Sequence, residues 1–384
     1  MVEILIIGGG ATGLMTAYSL LRRGVRDVAV FDASYPAGGS TGRCASGIRA
    51  SFTSKEHVVL MREAIKLWRS YSEGDLGRAG LKFHQSGYVW VSFSEEGVDT
   101  FRELVKLHNS LGVRTEVLGP DALKELVPPA RTEGVAGIMV DREAGKACPF
   151  ETVFALITVL RRHGIEVRYH TRVTGIAVRS GRVSGAFVEG RGLVEAEKVL
   201  VAAGPSSRDV LKPLGVEIPV KNMPRHALIT EPYRPAFNPL VIEWDVPGVP
   251  YIVQTDEGAF YIAREIEEEP EEPLTSQRID FMPKALKPLT RLFPWLRNVR
   301  VLRYWLGYYS VTPDHHPILG PVEGVEGLYI AAGFSGHGYM MSPVTGEVMA
   351  GWMLDGKPPI PEAGRLTLER FERGELIRER AIVG

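Results

Sequence analysis

The sequence lacks most of what would tie a chain to a membrane, a polyanion or a disulfide framework. Only two cysteines, Cys44 and Cys148, occur in 384 residues. That is too few for a disulfide scaffold or a four-thiolate metal site, so a reducing interior is the expected compartment. No apolar run approaches the roughly 18 residues that a bilayer span requires. Met1-Val2-Glu3 leads straight into a strand pattern, without the basic and small-residue flanks of a leader, so a soluble cytoplasmic protein is expected. Charge of one sign is missing too. With 45 basic and 46 acidic side chains the formal net charge is -1, which removes the electrostatic case for nucleic acid or anionic lipid as partner. No internal repeat is present. The remaining composition, 45% hydrophobic and 24% charged, excludes a disordered or collagenous chain. The length suits one large domain or, better, two that share an interface.

Val2–Ile7 is a short β-branched run of the kind buried in a parallel sheet. It enters Gly8-Gly9-Gly10-Ala11-Thr12-Gly13, after which Ala11, Leu14, Met15, Tyr18 and Leu21 fall at helical spacing, with Arg22, Arg23 and Gly24 closing the helix. Val28–Phe31 reads as a second strand, ending at Asp32 and Ala33. Gly8, Gly10 and Gly13 therefore match G-x-G-x-x-G between a strand and a helix, the context that gives the pattern meaning. Gly8 permits the tight turn, Gly10 lets the backbone approach a pyrophosphate, and Gly13 lets the helix pack closely on the strand. The phosphates would sit at the positive helix end. Asp32, 19 residues after Gly13, is placed to bind ribose hydroxyls and to repel a 2′-phosphate. The fingerprint does not choose between FAD and NAD, and its single occurrence argues against a two-nucleotide reductase.

Further along, helices are predicted over residues 54–72 and 96–111 and along the stripe Phe150, Val153, Phe154, Ile157 and Leu160. Strands are predicted within 83–93, 166–169, 173–178, 183–188 and 199–203, with Ser180-Gly181 turning a hairpin. Between 213 and 315 the pattern changes to long, proline-punctuated strands rich in aromatics, among them Tyr251, Tyr261, Tyr304, Trp305, Tyr308 and Tyr309. The acidic stretch 265–272 reads as a solvated edge loop. Strand–loop–helix alternation returns with a strand at Leu328–Ala332, the loop Gly333-Phe334-Ser335-Gly336-His337-Gly338 and a helix over 343–354. The expected fold class is thus α/β. A Rossmann-like nucleotide domain built from 1–80, 145–212 and 316–384 is interleaved with a second domain from 81–144 and 213–315.

Gly8 to Gly13 with Asp32, then Gly39-Ser40-Thr41-Gly42-Arg43-Cys44-Ala45-Ser46-Gly47-Ile48-Arg49, then Gly333 to Gly338, resemble the D-amino-acid oxidase and sarcosine oxidase superfamily of FAD-dependent oxidoreductases. The resemblance covers nearly the whole chain. Gly145-Lys146-Ala147-Cys148-Pro149-Phe150, residues 333–341 and Arg370-Phe371-Glu372-Arg373-Gly374-Glu375-Leu376 look like the β subunits of archaeal dye-linked L-proline dehydrogenases. The resemblance implies bound FAD and a substrate domain with a large antiparallel sheet, the substrate lying between sheet and flavin. It implies cofactor contacts from Gly8, Gly10, Ala11, Thr12, Gly13, Asp32 and Ala33, and from Ser40, Thr41, Arg43, Cys44, Ala45, Ser46 and Gly47. Val173, the turn Ala202-Ala203-Gly204, Gly307, and Gly333, Phe334, Ser335, Gly336, His337 and Gly338 complete the set. The small polar loop from Gly39 suits close passage beside an isoalloxazine edge. Backbone N–H groups around His337, aided by the following helix, suit the flavin N1 and O2 region.

The chemistry implied is hydride transfer from a C–H beside a neutral amine to flavin N5. The protein must fix the substrate carboxylate, aim the carbon and keep the amine unprotonated. Arg49 corresponds to a substrate-carboxylate arginine of sarcosine oxidases, and a guanidinium fork suits that ligand. His226 and Tyr251 are expected in the pocket, His226 as a candidate acceptor of the amine proton. His337 is expected to shape the flavin loop and Cys44 to fill space. His315 and His316, being adjacent, are not expected to pair on a metal, and no metal is expected. Three departures from the family pattern matter. Met340 stands where sarcosine oxidases have a second carboxylate-binding lysine, and Gly307 where they have a flavin-linking cysteine, so tight noncovalent FAD is expected. No lysine occurs from Asn222 to Met282, where oxidases of that branch carry an oxygen-activating one. The expected activity is therefore oxidation of a secondary amino acid, L-proline to 1-pyrroline-5-carboxylate, with electrons passed to a dye, a quinone or a partner flavoprotein subunit. A sarcosine-type N-methyl amino acid oxidase, a D-amino acid dehydrogenase and an electron-relay subunit of a larger complex are the alternatives. Homo- and hetero-oligomers are both compatible with the sequence. The mixed-charge tail 365–380 reads as a solvated helix or a partner-docking segment.

Overall fold

In the computed structural model, residues 1–266, 279–377 and 379 are described. Val2–Ile7 pairs in parallel with Val28–Phe31 on one side and with Gly192–Val201 on the other. Ile4, Leu5 and Ile6 are completely buried, the environment that an unbroken apolar run requires. Glu166–Arg168 and Leu328–Ala332 extend the parallel core, and Val173–Arg179, Arg182–Val188 and Ile318–Pro321 complete an eight-stranded sheet. Alternation along the strands sorts its two faces. Ile4 and Ile6 pack with Leu14, Leu156, Val344 and Val348 of the helices Ala11–Arg22, Pro149–Arg162 and Gly338–Asp355. Leu5 and Ile7 pack with Val199, Val201, Leu211 and Ile318 on the other side.

A second eight-stranded sheet runs Val301–Val311, Lys221–Pro232, Ala259–Ala263, Tyr251–Gln254, Leu240–Glu243, Tyr88–Ser92, Gly137–Asp141, Thr115–Leu118. It is antiparallel except where Leu240–Glu243 lies parallel to Tyr88–Ser92. Those two strands belong to segments far apart in the chain, so no tight hairpin constrains their direction. One face of this sheet carries Leu228, Ile252, Phe260 and Ile262 under the helix Phe281–Leu289. The other carries Ala227, Tyr251, Val253 and Tyr261. A three-stranded sheet of Gly47–Ile48, Gly145–Ala147 and Phe83–His84 stitches the halves together. No helix among the described residues is long and apolar enough to cross a membrane.

Several expectations shift in the structure. The strand expected at 199–203 is Gly192–Val201, because its first half bears Glu195 and Glu197 at exposed positions and carries no apolar run. The helix expected from 343 begins at Gly338, with Pro343 inside it. Proline removes the N–H that would have bonded the Tyr339 carbonyl, and the Ser342 hydroxyl donates to that carbonyl instead, at 2.8 Å. Ser54 caps the helix Lys55–Glu73, accepting from the His57 N–H. Ser180 and Gly181 both have positive φ, 50° and 76°, and turn the hairpin between Val173–Arg179 and Arg182–Val188. The tail departs most from a solvated helix. Arg370, 2% exposed, forks onto Asp314 at 2.8 and 3.0 Å and also donates to the His316 carbonyl. The acidic stretch beyond Ile266 and residues 378 and 380 lie outside the described residues.

Glu243 ends its strand 2% exposed, and its Oε2 meets no donor among the described residues. Burial pushes its carboxyl up from 4.5 to about 7, against the pull of Arg291. The folded state then binds more protons than the unfolded state between those values. Stability is full below pH 4.5, falls as pH rises towards 7, and stays reduced above it. Glu243→Gln removes the charge at nearly constant volume. It is expected to add on the order of 1–3 kcal/mol at pH 8 and nothing at pH 4, read as urea midpoints at the two pH values.

Candidate active site

One continuous cavity lies between the two sheets, bordered at one end by the fingerprint residues Gly8, Gly9, Gly10, Ala11 and Thr12 and by Asp32. The backbone there tolerates only glycine. Gly8 sits at φ +115°, and a Cβ on it would lie 2.2 Å from the Ala202 carbonyl oxygen. A Cβ on Gly13 would lie 2.0 Å from the Gly8 carbonyl oxygen, so this residue is a packing contact behind the cavity. Asp32 accepts from the N–H groups of Gly9 and Ser34, both at 2.7 Å, which fixes its carboxylate beside the cavity. The Tyr169 hydroxyl, on the other side, donates to the Gly9 carbonyl at 2.8 Å.

Ser40, Thr41, Arg43, Cys44 and Ala45 form the next stretch of wall. Thr41 accepts from the Ala11 N–H at 3.1 Å, tying this loop to the start of the first helix. The Arg43 carbonyl accepts from Trp305 Nε1 at 3.1 Å and from the Tyr261 hydroxyl at 3.3 Å, tying it also to the second sheet. Burial pushes the Cys44 thiol up to about 12, so it stays protonated. Ala202, Ala203 and Gly204 border the cavity, as do Gly333, Phe334, Ser335, Gly336 and Gly338. Gly336 has φ +97°, and a Cβ there would strike the Tyr309 ring at 2.6 Å. The glycine loop and the aromatic sheet therefore touch face to face.

From the sheet, Arg225, Tyr251, Tyr261, Gly307 and Tyr309 line the cavity. Strand register explains the set. Arg225 pairs with Gly307, Ala227 with Trp305 and Ala263, and Tyr251 with Ala263, so all project from one face. His226 borders the cavity too, but parity sends its ring to the other face, where it stacks on Phe281 at 5.1 Å. A base at His226 would be aimed away from the tyrosines. Tyr251 and Tyr261 stack at 6.2 Å, and burial holds both hydroxyls well above their usual range.

Arg49 is 1% exposed and does not border the cavity. Its guanidinium donates to the Ser51 carbonyl at 2.5 Å and lies 3.8 Å over the Phe52 ring. Ala33, Ser46, Gly47, Val173 and His337 are likewise absent from the cavity wall. Gly47 serves packing, since a Cβ would fall 1.8 Å from the Tyr88 hydroxyl. Val173 packs against the core beneath the first sheet. Met340 is buried behind the loop, its carbonyl accepting from Trp68 Nε1 at 2.8 Å.

His337 points away from the cavity, edge-on to Phe52 at 4.8 Å and to His57 at 5.3 Å, and burial keeps it neutral. Behind it, Glu379 accepts from the N–H groups of Thr53 and Ser54, from the Ser54 hydroxyl, and from His57 Nδ1 at 3.1 Å. His316 bonds the same serine hydroxyl at 2.8 Å. His57, His316 and Glu379 are close enough to suggest a metal triad. The two imidazoles stack 4.0 Å apart at 13°, however, so their in-plane lone pairs run parallel and do not converge on one ion. The cluster is a hydrogen-bonded clasp on the tail, which sequence spacing gave no means of finding.

Glycines that clear a dinucleotide path, a carboxylate at its far end and a helix start at Gly338 together fit a bound FAD. A family model described as DAO: FAD dependent oxidoreductase matches residues 3–352. The chain belongs to this family. Sarcosine oxidase subunit beta of Rhodobacter capsulatus is 26% identical, with 100% of this chain and 91% of that protein covered. Mitochondrial dimethylglycine dehydrogenase of Rattus norvegicus is 25% identical over 93% of this chain, which spans only 43% of that longer protein. Among solved structures, L-proline dehydrogenase from P. horikoshii superposes with a TM-score of 0.91 at 32% identity, covering 98% of this chain and 99% of that one. The protein is thus an FAD-dependent oxidoreductase. Gly307, in the cavity wall, has no side chain that could bond a flavin.

Proposed function

We propose that this FAD-dependent oxidoreductase is a cytoplasmic dehydrogenase of secondary amino acids, converting L-proline to 1-pyrroline-5-carboxylate and passing electrons to a quinone, a dye or a partner subunit. The carrying observation is the likeness along almost the full chain to the P. horikoshii L-proline dehydrogenase structure. The cavity wall supports the dehydrogenase side of the reading, since no lysine is among its described residues. Segments 1–80, 145–212 and 316–384 form the FAD domain in this reading, and 81–144 with 213–315 the substrate domain. FAD, when bound, supplies the hydride acceptor. The chain supplies the rest. Gly8, Gly10 and the first turn of Ala11–Arg22 hold the phosphates, Asp32 holds the ribose, and the loop at Ser40–Ala45 with Gly333–Gly338 encloses the ring system. Tyr251, Tyr261 and Tyr309 form a water-poor wall against which a small ring packs, and their hydroxyls stay protonated as donors. Arg49 acts from beneath that wall as a positive charge, since a guanidinium stays protonated at neutral pH even though burial lowers its pKa.

The test is turnover of purified, FAD-loaded protein with L-proline, D-proline and sarcosine, following dye reduction and peroxide in parallel. Fast dye reduction with L-proline and little peroxide is expected. Peroxide at rates matching dye reduction would sink the dehydrogenase reading, and sarcosine as the best substrate would move it to N-methyl amino acids. A second reading is supported by the relative named as a subunit. In that case the flavin is bleached by no amine until a partner chain is added.

A further inference from the structure

Arg225 and Glu265 form an ion pair in the wall of the cavity, and no sequence motif marks either residue. Arg225 projects on the same sheet face as Tyr251 and Tyr309, opposite the side-chain-free Gly307. Its guanidinium is 13% exposed and lies 5.2 Å from the Tyr309 ring centroid. Glu265 is delivered by backbone geometry. Its N–H donates to the Gly248 carbonyl at 2.8 Å, and a Cβ on Gly248, at φ +74°, would lie 1.7 Å from the Glu265 carbonyl oxygen. Arg43 donates to the Gly38 carbonyl, and Arg264 to those of Pro247 and Lys284, whereas Arg225 gives one nitrogen to the Pro224 carbonyl at 2.9 Å and another to the Glu265 carboxylate. Arg49 is turned onto Ser51 and Phe52.

We propose that Arg225 and Glu265 together form the subsite that recognises the zwitterionic head of an amino acid on entry, the carboxylate on Arg225 and the ammonium on Glu265, whose carboxylate takes the ammonium proton before the C–H bond breaks. This rests on the amino-acid reading above and names the residues that select for it. The pair carries no net charge, and neither does an α-amino acid. Binding therefore exchanges one internal ion pair for two intermolecular ones without leaving an uncompensated charge in the cavity. A cyclic amine without a carboxylate offers Arg225 no anion in exchange for Glu265, and a carboxylate without an amine leaves Glu265 facing a second anion.

The test measures binding to the FAD-loaded full chain by flavin absorbance and by thermal shift, using L-proline, pyrrolidine and the non-oxidisable anion pyrrole-2-carboxylate. Arg225→Met is expected to weaken pyrrole-2-carboxylate about 30-fold or more and to erase the preference for L-proline over pyrrolidine. Glu265→Gln is expected to weaken L-proline about tenfold while tightening pyrrole-2-carboxylate, an opposite pair of changes that lost folding does not produce. If Arg225→Met does not retain FAD, Arg225→Lys and Glu265→Gln decide the matter by the same ratios. Unchanged affinities in these variants, or no binding of either carboxylate by the parent protein, overturn the subsite. Arg225-dependent binding of the anion by a protein that no amino acid reduces keeps the subsite and removes the proposed activity. Normal reduction by L-proline with Arg225 variants unaffected does the reverse.

Discussion

Gly8→Ala is expected to yield a colourless protein. The new methyl group meets the Ala202 carbonyl oxygen at 2.2 Å, and alanine is strained at φ +115° whatever room is made for it. Either the turn opens or the residues at 202–204 retreat, and both movements pull apart the walls that hold the dinucleotide. Strain of about 1–3 kcal/mol, added to the lost phosphate contacts, predicts at least about a 100-fold fall in FAD affinity. Visible absorbance after purification and a fluorescence titration with FAD measure it. Gly39→Ala is the matched control. It borders the same cavity, its Cβ would meet nothing within 4 Å, and it should purify yellow. A yellow, stoichiometrically loaded Gly8→Ala protein would falsify the assignment of this turn to the cofactor.

The second large effect lies far from the cofactor. Arg370→Met leaves the Asp314 carboxylate, fully buried, without its fork of donors. Removing one partner of a buried ion pair costs about 3–5 kcal/mol, because the remaining charge stays desolvated. Urea midpoints at pH 7 should fall by that much, and Asp314→Asn combined with Arg370→Met should recover a substantial part. Burial pushes the Asp314 carboxyl up, but Arg370 holds it below its usual range. The stability this contributes is present at neutral pH and is lost as pH falls through the acidic range, so the deficit of the variant should shrink in acid. An unchanged midpoint in Arg370→Met would show that the tail is not clasped as described.

The tail also marks a limit of what local sequence conveys. Residues 365–380 mix basic and acidic side chains, and nothing local says that Arg370 and Glu379 are consumed internally. A charge in a polar stretch looks the same whether it faces water or Asp314. The pocket poses the same difficulty on a finer scale. Arg225 and His226 are neighbours, and histidine is the residue that acid–base chemistry brings to mind, yet strand register turns His226 onto Phe281 and Arg225 into the cavity. Arg49, matched to a carboxylate-binding arginine by its motif, is packed against Phe52 and Trp90 behind the wall.

The amino-acid sequence alone determined the nucleotide-binding end, the family and the change from an α/β pattern to an aromatic, strand-rich one and back. Backbone conformation at Gly8, close packing at Gly13 and the strand-to-helix context are local demands that only certain residues satisfy, so they are written in neighbouring positions. Tertiary structure alone decided which sheet face meets the cavity, which guanidinium reaches it, and that the tail closes over His57 and His316. Those outcomes depend on strand register and on pairings between segments hundreds of residues apart, where a one-residue step reverses the direction of every side chain.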